Sequence, residues 1–129
     1  MMLKTLGLAV ALAALSAAPA FAGTYDECSA PIPPAAIDGS TATLVQVKAA
    51  HQDVVTFLKQ SDDYQDCLNR VETQAADAAK KDKDNKTGQV DPEIVAEHDR
   101  LQKSNQSLKE KVGNEFNAAA NAYNAKHPG

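Results

Sequence analysis

The chain has no tryptophan, only 5% of its residues are aromatic, and it holds just two cysteines. Large apolar side chains are scarce as well: Leu, Ile, Val and Phe number 18 among the 107 residues that follow Ala22. So small a supply lies where a chain either stays disordered or needs an economical architecture and a covalent staple. A large enzyme core with a buried cleft is excluded on that ground. Basic clusters are missing too: 13 Lys and Arg against 17 Asp and Glu give a net charge of −4, which excludes the cationic footprint that nucleic-acid binding requires. The cysteines have neither the CxxC redox spacing nor a zinc-ligand spacing. No Gly-framed serine or clustered acid pair marks a strand-to-helix turn, so nothing points to nucleophilic catalysis. The expectation is a non-enzymatic protein without a cofactor.

What is present begins with an address. Residues 1–22 have the three-part form of a secretory signal: a short start with Lys4, an apolar run from Leu6 to Leu15, and the small residues of Ala20-Phe21-Ala22. Cleavage is expected after Ala22. The apolar run is too short to span a bilayer, and Cys28 lies six residues beyond the cut, after Asp26-Glu27, which does not suit a lipid anchor. No membrane span is expected after cleavage, and the loss of Lys4 would take the net charge from −4 to −5. The destination is the periplasm or the exterior. Two cysteines in a short exported chain form a disulfide by default, Cys28 to Cys67, with an intermolecular bond as the alternative. Two sequons, at Asn85 and Asn105, are expected to go unused because the Ala-rich signal looks bacterial.

From residue 23 to residue 42 the chain reads as an extended arm. Pro31, Pro33 and Pro34 forbid a helix and favour a polyproline-like path, with Ile32 and Ile37 along it. The pattern then changes. Val47, Ala50, Val54, Phe57, Ser61, Tyr64, Leu68, Val71, Ala75 and Ala78 recur at alternating spacings of three and four, a coiled-coil seam. Thr43 and Gln46 have the spacing of a capping box, and Ser40 or Thr41 is an earlier alternative start. The polar stretch Lys81 to Gln89 reads as a link. Asp91-Pro92-Glu93 then opens a second helix, with a carboxylate cap, Pro at the first helical position and Glu against the positive helix end. Its seam is Ile94, His98, Leu101, Asn105, Leu108, Val112, Phe116, Ala119 and Tyr123.

Two seams joined by a short link fold back antiparallel. Matching them pairs Val71 with Leu101, Leu68 with Asn105, Ser61 with Val112 and Phe57 with Phe116, and small residues meet large ones at both ends. The fold class expected is all-α, a coiled-coil-like two-helix hairpin over residues 43–127. Its helices run over about 43–81 and 92–126, its link over about 82–91, and one disulfide pins the extended N-terminal arm. The arm can reach: 15 residues from Cys28 to Thr43 extend to about 46 Å, and Cys67 lies about 36 Å into the first helix. Ser61 and Asn105 are polar seam positions whose expected role is to set register at some cost in stability.

Several clusters invite a chemical reading. Asp82 to Glu93 echoes a calcium loop, but Lys86 stands where an oxygen ligand belongs and the Gly and Val each arrive one place late. The solvated turn is the better reading. His51 and His127 could approach at the open end of the hairpin near Asp53, without a convincing third ligand for a metal. A small periplasmic metal-ion binder is nevertheless the chief alternative function. His98 falls on the seam, where a hydrogen bond to Glu72 would satisfy it. Asp62, Asp63 and Asp66 read as an exposed acidic face, with Asp66 spaced to pair with Arg70.

One stripe has a sharper functional reading. Leu44, His51, Val55 and Leu58 lie on the flank of the first helix away from Cys67, outside the two-helix seam. The isoleucines of the arm, Ile32 and Ile37, are expected to cover it. The alternative is a protein partner or a second copy, for which Leu44, Val55 and Leu58 would be the binding residues.

Cys28, the run Pro31-Ile32-Pro33-Pro34 leading to Asp38-Gly39, Tyr64-x-x-Cys67-Leu68, and Phe116-Asn117 followed by Tyr123 together resemble a group of small uncharacterised exported proteins of alphaproteobacteria. The resemblance spans nearly the whole chain after the signal. It implies an address and no chemistry.

Overall fold

The computed structural model describes residues 23–129, so the expected signal segment and its cleavage site lie outside the described residues. Two helices and no strand are present among them: α1, Leu44–Lys81, and α2, Pro92–Lys126. Each starts where its capping chemistry dictates. At α1 the Gln46 amide donates to Thr43 Oγ1 at 3.2 Å, and the Thr43 amide donates to Gln46 Oε1 at 2.8 Å, the reciprocal bonds of a capping box. Ser40 and Thr41 belong instead to a preceding turn, in which the Ser40 amide and hydroxyl both donate to Asp38 Oδ1. At α2 the Glu93 amide donates to Asp91 Oδ1 at 2.8 Å, and Pro92 follows the cap.

The link is a pair of tight turns held by its own side chains. The Asp84 amide donates to Asp82 Oδ1, and Asn85 Oδ1 accepts from the Thr87 hydroxyl and the Gly88 amide. Gly88 has φ +64, a backbone that other residues adopt only at a cost. Asp82 Oδ1 and Asn85 Oδ1 therefore serve backbone closure.

α2 folds back antiparallel on α1. The direction is fixed by rungs in which rising numbers on one helix meet falling numbers on the other: Asp62 with Lys109, Gln65 with Gln102, Glu72 with His98. The α1 seam carries every buried residue of that helix: Val54, Phe57, Ser61, Tyr64, Leu68 and Val71. One apolar cluster joins Val54, Phe57 and Val112, flanked by Leu108 and Phe116. A second joins Tyr64, Leu68 and Val71 to Tyr25 and Cys28 of the N-terminal segment, flanked by Ile94 and Leu101. Between them lies a polar layer: Asn105, only 4% exposed, donates from Nδ2 to the Ser61 carbonyl at 3.1 Å. The Asn105 amide is thus satisfied by a backbone oxygen of the facing helix.

The disulfide joins Cys28 to Cys67 within the chain, with Cα atoms 5.7 Å apart. Residues 29–38 carry neither helix nor strand and pass from the disulfide to the Asp38 turn. Gly39 is buried there, so close to α2 that a Cβ on it would fall 1.7 Å from the Ala119 carbonyl oxygen.

Candidate functional site

The two flanks of the hairpin are built differently. On the Cys67 flank the N-terminal segment lies along α1 and crosses to α2. Tyr25 anchors its start: the ring is 7% exposed and its hydroxyl donates to the Ile94 carbonyl at 3.0 Å. Burial first, then the carboxylates of Glu72, Glu97 and Asp99, push the Tyr25 phenol above its ordinary value of 10.0, so at neutral pH it is a proton donor. Further along, Ile37 lines a small void of about 20 Å³ with Ala50, Val54, Val112 and Phe116.

The other flank carries the stripe and its continuation. Leu44 is 49% exposed and Val55 48% exposed, whereas Leu58 is half-buried against the cluster of Val54, Phe57 and Val112. The isoleucines do not cover this stripe. Ile32 is 86% exposed, and Ile37 is lodged between the helices. The reason is the disulfide: Cys67 and Leu58 lie on opposite sides of α1, and an arm tethered at Cys67 that ends at Ala119 never passes over the Leu44 flank. The expectation that the arm would cover the stripe is corrected accordingly.

Beyond Leu58 the same flank becomes polar. Lys109 Nζ donates to Asp62 Oδ1 at 2.6 Å and to Gln65 Oε1 at 3.2 Å. Gln102 Nε2 reaches the Gln65 carbonyl and Asn69 Oδ1. His98 closes the series, with Nε2 2.9 Å from Asn69 Oδ1 and Nδ1 3.2 Å from Glu72 Oε2. Glu72 is the partner that the sequence suggests for it, and Asn69 is an addition. These groups satisfy one another across the interface.

His51 and His127 pack on different aromatic rings: His51 lies 5.6 Å from the Phe116 ring, and His127 stacks on Tyr123 at 4.2 Å. Among the described residues no three His, Cys, Asp or Glu side chains come together in a metal-binding group. In the acidic stretch, Asp63 pairs with Lys59 at 2.7 Å, and the Arg70 guanidinium turns to Glu27 and to the Cys67 sulfur. The spacing of Asp66 and Arg70 is not used. Among the described residues no helix is long and apolar enough to cross a membrane.

Tyr25 and Gly39 escape the sequence reading, although they fix the two ends of the N-terminal segment. Tyr25 was legible in one respect, as an aromatic residue three positions before a cysteine whose bond fixes its place. No protein-family model, curated protein or solved structure matches the chain.

Proposed function

We propose that the chain is exported to the periplasm or cell envelope and acts there by binding another protein, without catalysis or a cofactor. The observation that carries this reading is the stripe of Leu44 and Val55, about half exposed, continuous with half-buried Leu58 and left open by the arm. An uncovered apolar stripe on a helix is the kind of surface a partner helix uses. Export is supported by the signal-like start, by the intramolecular disulfide and by the resemblance to exported alphaproteobacterial proteins. The coiled-coil spacing of both seams supports a rigid scaffold that holds the stripe straight.

Two measurements test the reading. Fractionation of cells with thiol labelling is expected to place the protein in the envelope fraction, shortened at its start and with both cysteines blocked. Recovery in the cytosol with free thiols overturns export. A photo-crosslinker at Val55 is expected to give a discrete protein adduct that Leu44→Asp abolishes while the melting temperature stays unchanged. An adduct pattern indifferent to Leu44→Asp overturns the binding role of the stripe.

A further inference from the structure

The N-terminal segment is held at both ends and bonded to nothing between them. The disulfide and Tyr25 fix its start, and the close approach of Gly39 to Ala119 fixes its end. From Ser29 to Ile37 no backbone N–H or C=O takes part in a hydrogen bond among the described residues. Prolines remove three of the nine donors, and Ser29, Ala30, Ile32, Ala35, Ala36 and Ile37 keep theirs. Such a row of free groups is a template for main-chain pairing.

Two shallow, open grooves of about 730 and 480 Å³ separate this segment from α1. They meet at Ile32 and Gln60, which line both. Buried aromatic rings lie beneath them, Tyr64 in the first and Phe57 in the second. The charges at the rim are mostly acidic. Asp63 is taken by Lys59 and Glu27 lies 3.9 Å from Arg70, while Asp53, on the second groove, has no ion-pair partner among the described residues. A second copy of a chain with net charge −4 would meet repulsion here. A cation would be attracted.

We propose that the groove between residues 29–38 and α1 binds an extended peptide segment carrying Lys or Arg next to an apolar residue. The peptide backbone pairs with the free groups of the arm, its apolar side chain packs on Ile32 above Tyr64 or Phe57, and its cation faces Asp53. Main-chain pairing supplies affinity and alternate side chains supply specificity, the usual division in strand addition. Because the arm is tethered before the peptide arrives, little ordering entropy remains to be lost. This surface is separate from the Leu44 stripe and is tested without it.

The experiment uses the oxidised full chain and two hexapeptides labelled with fluorescein at the N-terminus, Leu-Lys repeated three times and Leu-Glu repeated three times, followed by fluorescence anisotropy. The Lys peptide is expected to bind and the Glu peptide to bind at least about tenfold more weakly. Asp53→Asn and Ile32→Ser, both at exposed positions and so compatible with folding, are each expected to weaken the Lys peptide about fivefold or more. Reduction of the disulfide is expected to weaken it further by freeing one wall of the groove. Glu110→Gln, away from the groove, serves as the control for unspecific adhesion to an acidic protein and is expected to change nothing. Equal binding of both peptides, no binding up to about 1 mM, or equal losses from Glu110→Gln and Asp53→Asn overturns the proposal.

Discussion

At the scale of single residues, two side chains contradict their surroundings in ways that can be measured. Ser61 is fully buried and its Oγ has no hydrogen-bond partner. A hydroxyl in that position bears its desolvation cost without compensation. Ser61→Ala is therefore expected to stabilise the protein by about 1 kcal/mol, read as a shifted denaturant midpoint at constant slope; a destabilised variant would mean that the hydroxyl is satisfied. Tyr25 has a pH signature. Its phenol lies above 10.0 in the folded chain because of burial and three nearby carboxylates, so above pH 10 the unfolded chain releases this proton before the folded one does. Stability contributed by the neutral phenol is then fully present below pH 10 and lost as pH rises through the folded value. Tyr25→Phe is expected to flatten the alkaline slope of the melting temperature. Part of the slope remains because burial raises the Tyr64 phenol as well. An unchanged slope in Tyr25→Phe would show that the Tyr25 hydroxyl does not hold the arm.

At the scale of elements, the helices and the link between them were legible and the path of the arm was not. The capping pairs Thr43/Gln46 and Asp91/Pro92 are local chemistry, confined to one turn, and the seams follow from spacing alone. The path of the arm is different. It depends on Gly39, whose missing side chain lets the chain touch the α2 backbone. A methyl group there would collide with the Ala119 carbonyl, and neither backbone can move without disturbing the packing of Ala119, which is 5% exposed. Gly39→Ala is expected to cost about 2 kcal/mol or more and to speed amide exchange in residues 35–42. Normal stability in this variant would show that the arm does not cross α2 there.

At the scale of the whole molecule, the hairpin is long and thin: 38 residues of α1 at 1.5 Å each make about 57 Å. So much surface encloses two small apolar clusters and one polar layer, and the disulfide matters accordingly. It closes 39 residues of chain, which the chain-entropy estimate values at about 4 kcal/mol, a large share of the stability of a small domain. The Cys28→Ser/Cys67→Ser variant is expected to lose about that much, measured by urea unfolding in parallel with the oxidised protein. A loss below about 1 kcal/mol would mean that the reduced arm stays docked through Tyr25 and Gly39.

The sequence by itself determined the class of the protein: two amphipathic helices, their caps, the link between them, and the pairing of the only two cysteines. These features rest on interactions between residues a few positions apart, or on there being no other cysteine to choose. Only the tertiary structure decided which flank of α1 the arm would take, that Asn105 would bond the Ser61 carbonyl, and that the Leu44–Val55 stripe would stay open. Each of these depends on where a tether ends in space and on how closely two backbones can approach, and neither is written in the spacing of apolar residues along one chain.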